Sequence, residues 1–159
     1  MSKIQELLNS EDAILVFDVD GVLARIEYGE YNHFNLADDD WSQSIEDGDV
    51  YYPDDQAIPY MVDFIKNKNI NNIYTCSKSF TPKEDELKIN FLTRVFNIKE
   101  DHIFFVRDNK EKVDVLFKIK ELNKDYPDNH IAMIDDNLEV LNNIRNNSDF
   151  ATIHVSSFM

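Results

Sequence analysis

The chain has 159 residues, 43% of them hydrophobic and 30% charged, with a formal net charge of −15 at pH 7. That length suits one domain, 1–159, with a real core, and no apolar stretch approaches the roughly eighteen residues a membrane span requires. The acidity argues against a general nucleic-acid binder, which needs a basic face, and obliges any site for an anionic substrate to supply its own local cations.

Residues 2–9 predict a short amphipathic helix through Ile4, Leu7 and Leu8. A buried strand at 13–17 (Ala-Ile-Leu-Val-Phe) then runs into Asp18-Val19-Asp20-Gly21. From Ala24 to Pro53 no helical or strand period is evident, and about thirty residues is long for a plain connection, which favours a small cap-like insertion or lid. Its aromatics, Tyr28, Tyr31, Phe34, Trp41, Tyr51 and Tyr52, could line a base or sugar pocket or pack a lid onto the core, and His33 is the one histidine placed to touch a substrate.

Regularity returns with a helix at 57–68 and a short strand, Asn72-Ile73-Tyr74, leading into Thr75-Cys76-Ser77-Lys78. Thr81-Pro82-Lys83-Glu84 reads as a capping box opening a helix through Leu87, Phe91 and Val95. A strand at 102–106, a helix at 111–123 and a strand at 130–134 ending in Asp135-Asp136 follow. A helix through Leu138, Leu141 and Ile144 and a strand at 151–155 complete the pattern. Five alternations of this kind imply an α/β, Rossmann-like fold, a parallel sheet with helices on both faces. Ligands of such folds bind along the edge where the strands end. Cys76, the single cysteine, excludes an internal disulfide framework and reads as a small packed side chain. The start, Met1–Glu6, lacks the features of a signal peptide, so a cytoplasmic location is expected.

The strand ends collect a specific set of polar groups: Asp18 and Asp20, Thr75 and Ser77, Lys110 and Lys112 beyond the third strand, and Asp135 and Asp136. Paired carboxylates at the end of a buried strand repel each other and resist burial unless a cation or proton lies between them. An acidic turn is the simpler reading of Asp-Val-Asp-Gly alone. Acid doublets at two strand ends, with a hydroxyl and a lysine between them in chain order, point further.

In this order the four segments resemble the motifs of the haloacid dehalogenase superfamily. Asp18-Val19-Asp20-Gly21-Val22 matches the first and Ile134-Asp135-Asp136-Asn137 the fourth. Thr75, or else Ser77, resembles the second, and Lys112, or else Lys110, the third. The resemblance implies an aspartyl-phosphate on Asp18, with Asp20 first protonating the leaving oxygen and then activating water. It implies Mg²⁺ held by Asp18, the Asp20 backbone region, Asp136 and Asp135, directly or through water. Thr75 would bond a phosphoryl oxygen, Lys112 would neutralise nucleophile and phosphate, and Gly21 would let the chain turn behind the acids. With Asp20 protonated, a bound phosphate dianion brings the site to roughly −5, which Lys112 and Mg²⁺ reduce to about −2. The implied partner is a small phosphorylated metabolite such as a nucleotide or sugar phosphate. A phosphotransferase or mutase with the same intermediate and a non-catalytic binding protein are the competing readings.

Overall fold

The computed structural model describes residues 1–26 and 38–158. The first helix, α1 (Lys3–Asn9), is capped by Ser2, whose hydroxyl accepts from the Gln5 amide. Strand β1 (Ile14–Phe17) follows, and every one of its residues is buried. A helix, α2 (Asp38–Glu46), then falls where the sequence shows no period. Part of the 24–53 stretch is thereby helical although its sequence shows no clear period: three aspartates occupy the helix's first turn, where the helix dipole favours them, and Trp41 and Ile45 lie one turn apart facing the core. The expectations for Tyr28, Tyr31, His33 and Phe34 lie outside the described residues.

Next come α3 (Pro59–Lys66), β2 (Ile73–Lys78), α4 (Pro82–Phe96), β3 (Ile103–Val106), α5 (Lys112–Leu122), β4 (Ile131–Asp135), α6 (Leu138–Asn147) and β5 (Ala151–His154). All five strands are parallel, in the order β3-β2-β1-β4-β5. The uninterrupted apolar strands are thus explained by helices on both sides. One face carries Leu15, Phe17, Ile73 and Ile134 against α3 and α4, and the other carries Ile14, Val16, Cys76 and Met133 against α5 and α6. Among the described residues no helix is long and apolar enough to cross a membrane.

Strand β2 runs further than its apolar run suggests. Its residues Thr75 to Lys78 pair with Ile103 to Val106 of β3, so Thr75 stands in mid-strand and Ser77 lies closer to the carboxyl edge. The polar letters hid a ladder that β3 supplies. The second half of the insertion is part of the core, since Ile45, Val50 and Tyr52 are all buried in the cluster that holds Phe17 and Phe91. Ile45→Ala should therefore cost about 2–5 kcal/mol, read as the shift of a urea unfolding midpoint. A loss below about 0.5 kcal/mol, ordinary for a surface change, would mean that α2 stands off from the sheet.

Candidate active site

Register assembles the centre of the site. Phe17 pairs with Ile134, so the next residues, Asp18 and Asp135, stand level at the carboxyl ends of adjacent strands. The Asp18 amide still donates to the Ile134 carbonyl at 2.9 Å. Asp18, Asp135 and Asp136 each offer a carboxylate oxygen, all within 4.8 Å of one another.

Lys112, the first residue of α5, closes the cluster from the side. Its Nζ lies 2.8 Å from Asp135 Oδ2 and 3.2 Å from Asp18 Oδ1, and the residue is 2% exposed. Asp135 is tied down further, its Oδ1 accepting from the Asn137 amide at 2.9 Å. One ammonium does not satisfy three carboxylates. Burial, opposed by Lys112 and helped by Asp135, pushes the Asp18 carboxyl up to about 6. Burial also raises Asp135 against the pull of Lys112, and burial with the nearby Asp18 charge raises Asp136. For Lys112 burial works against the charged form, yet the Asp18 and Asp135 carboxylates outweigh it and hold the ammonium more firmly than usual. The same neighbourhood includes Cys76, whose thiol burial pushes up to about 12, leaving a packed, inert group.

Asp20 has partners of its own outside this trio. Its Oδ1 accepts from the Tyr52 hydroxyl at 2.8 Å, and its Oδ2 lies 2.9 Å from Lys88 Nζ. Gly21 follows at φ +81°, and a Cβ there would fall 2.3 Å from Asp136 Oδ2. The glycine thus leaves room for the Asp136 carboxylate as well as allowing the turn. Thr75 and Ser77 are buried on one face of β2, and neither hydroxyl oxygen has a hydrogen-bond partner among the described residues. Such orphaned groups are uncommon in a core and mark positions where a polar ligand could bind. Lys110 is exposed and joins Lys78, Phe80, Arg107 and Asn137 around a cavity of about 480 Å³. His102 and His130 sit at the opposite end of the strands, stacked on Tyr74 and facing the Asp12 carbonyl respectively.

Lys88 and Glu84 escaped the sequence reading as site residues, while Trp41 and Tyr52, read there as pocket-lining or lid-packing aromatics, hydrogen-bond Glu84 and Asp20. The expected capping box is only half formed: Thr81 accepts from the Glu84 amide, but the Glu84 carboxylate turns to the Phe80 amide and to Lys88. The signal was present in the spacing, since Glu84 and Lys88 fall on the same helical stripe as Phe91 and Leu92.

No protein-family model and no curated protein matches the chain. Solved structures do. The DsGPDH of Dunaliella salina aligns over 96% of this chain with a TM-score of 0.57 and 17% identity. This chain spans 25% of that protein's length. The likeness is one of fold. The UTR4 protein of Saccharomyces cerevisiae aligns over 88% of both chains at 12% identity and a TM-score of 0.48. The HAD domain of the effector protein Lem4 from Legionella pneumophila aligns over 90% of this chain and 84% of its own at 13% identity and a TM-score of 0.47.

Two outcomes are expected of this geometry. Between pH 3.8 and about 6 the folded chain holds a proton on Asp18 that the unfolded chain has lost, so stability in EDTA falls as pH rises through that window. The loss is on the order of 3 kcal/mol by urea unfolding, Asp135 and Asp136 act in the same direction, and Asp18→Asn should flatten the decline; an unaltered slope would contradict the assignment. Gly48 also has a positive φ, of 78°, but open space around it. Gly21→Ala and Gly48→Ala should each lose about 1–2 kcal/mol from the backbone alone, while only Gly21→Ala, by displacing the Asp136 carboxylate, should weaken divalent-cation binding in a calorimetric titration.

Proposed function

We propose that the chain is a Mg²⁺-dependent phosphomonoester hydrolase of the haloacid dehalogenase type, acting through an aspartyl-phosphate on Asp18. One observation carries the reading: three carboxylates from β1 and the end of β4 converge within 4.8 Å around a buried lysine. A folded chain has no structural use for such a cluster, because each close like-charge pair costs on the order of 1–4 kcal/mol.

The donor set fits a hard divalent cation, being all carboxylate oxygen with one exposed member open to water and substrate. Asp18, Asp135 and Asp136 would hold Mg²⁺, with the Asp20 backbone beside them. When bound, the ion would neutralise the carboxylates and the phosphoryl oxygens.

Everything else falls to the chain's own side chains. An Asp18 oxygen would attack phosphorus while Asp20 gives its proton to the departing oxygen. Asp20 would then take a proton from the water that cleaves the acyl phosphate. Lys112 would keep Asp18 and Asp135 apart from one another and aimed at the phosphoryl group. Of the two unpartnered hydroxyls, Ser77 stands nearer the edge and is the better placed for a phosphoryl oxygen, with Thr75 behind it. Lys112 and the bound cation would supply the local positive charge that a protein of charge −15 needs to admit an anion, because the adjoining cavity sets Lys78, Arg107 and Lys110 against Asp38, Asp108 and Glu139. Asn137, the residue after Asp136, connects the carboxylates to that cavity of about 480 Å³, room for the remainder of a small phosphorylated metabolite.

Purified protein with Mg²⁺ should release phosphate from members of a phosphomonoester panel, with Asp18→Asn or excess EDTA lowering the rate at least about a thousandfold. Activity that survives both changes would sink the mechanism. A wild type inert across the panel would favour the binding role, and faster transfer to an added alcohol than to water would favour a phosphotransferase.

A further inference from the structure

The groups that hold Asp20 come from outside the strand that carries it. Tyr52 donates to Oδ1 at 2.8 Å, and Lys88 meets Oδ2 at 2.9 Å. Lys88 is fully buried and directs its ammonium to three acceptors, Asp20, Glu84 at 2.8 Å and the Lys78 carbonyl at 2.8 Å. An ammonium has three protons, so its donors are matched. Glu84 in turn accepts from Trp41 Nε1 at 2.8 Å. Tyr52 and Trp41 belong to residues 38–53, and Glu84 and Lys88 to α4.

This is costly architecture for a helix that is otherwise packed with Phe91, Leu92 and Phe96. A buried ion pair is commonly no more stable than the apolar side chains that could replace it. Its geometry has a use only if the carboxyl at its end must be held in one orientation.

We infer that the 38–53 segment and α4 form a mount that orients Asp20, with Tyr52, Lys88, Glu84 and Trp41 as positioning residues. The inference rests on the hydrolase reading above and gives the insertion a role within it. Both contacts are donated to Asp20, so they persist when it is a carboxylate, the form that accepts a proton from water. In that step the water oxygen bonds to phosphorus as the Asp18 oxygen–phosphorus bond breaks. The water proton passes to Asp20, and Asp18 recovers its carboxylate as inorganic phosphate leaves. A base must lie within hydrogen-bond reach of that water, and a displacement of about 1 Å can cost on the order of a hundredfold.

Turnover of p-nitrophenyl phosphate by the magnesium-loaded protein isolates this step, because nitrophenolate departs without protonation. Tyr52→Phe, Glu84→Gln and Lys88→Met should each lower kcat about 10- to 100-fold, with KM falling in step so that kcat/KM, which reports the phosphorylation step, stays within about threefold. The phosphoenzyme fraction trapped by acid and weighed by mass spectrometry should rise as turnover falls. A merely structural role would not raise it. Tyr52→Phe removes a single oxygen, so it keeps the test open if Lys88→Met fails to fold, and circular dichroism melting identifies such a failure. Variants that turn over at the wild-type rate, or that lose trapped phosphoenzyme along with turnover, overturn the inference and leave the hydrolase reading standing. A wild type that is inert on the ester, or that traps no phosphoryl group, overturns that reading and the inference with it.

Discussion

Lys112 is the group on which the site depends. It brings one positive charge, buried, to two carboxylates at 2.8 and 3.2 Å, with a third close by. Its place at the first turn of α5 adds the positive end of a helix to that charge. Pairing makes the burial of Asp18 and Asp135 tolerable, and its incompleteness leaves the cluster ready for a further cation. The rest of the architecture serves this juxtaposition. Register brings Asp18 level with Asp135, the turn at Gly21 makes room for Asp136, and two apolar faces hold the sheet that fixes them all.

Around this centre the protein separates two kinds of carboxylate. Asp18, Asp135 and Asp136 crowd together, and burial raises all three. Asp20, only two residues beyond Asp18, is assigned instead to a tyrosine and a second buried lysine. Strand alternation alone would keep residues two apart on one face, so the division belongs to the turn that begins where β1 ends at Phe17 and passes through Gly21. Different surroundings are how one fold assigns different roles to like groups.

Much of this was legible in the sequence. The strands announced themselves as apolar runs, because a parallel sheet covered on both faces needs no polar alternation. Asp18 and Asp135 were visible because charge directly after such a run has no packing rationale. What escaped was tertiary in origin. The end of β2 looked like a loop because Thr75, Ser77 and Lys78 are polar, and only pairing with β3 makes them strand. The helix Asp38–Glu46 is short and acidic, and its docking on α4 through Trp41 and Ile45 outweighs its weak local pattern. Lys88 carried no signal of its own, because a lysine on a helix is usually solvated. Its spacing from Glu84 is legible, but nothing local says that the carboxylate of Asp20, 68 positions earlier in the chain, will join that pair.

The position of β1 in mid-sheet bears on how the molecule breathes. Asp18 donates its amide into a ladder flanked by strands on both sides, so exposing it to solvent exchange requires the sheet itself to part. The carboxyl of Asp20 answers to a different unit, a short helix and the segment after it, resting on α4 through Trp41, Ile45 and Tyr52. Two residues almost adjacent in sequence are thereby governed by opening events of unequal free energy. A fluctuation that lifts the outer unit would leave the carboxylate cluster assembled while Asp20 loses its Tyr52 partner, at the cost of the core contacts of Ile45, Val50 and Tyr52.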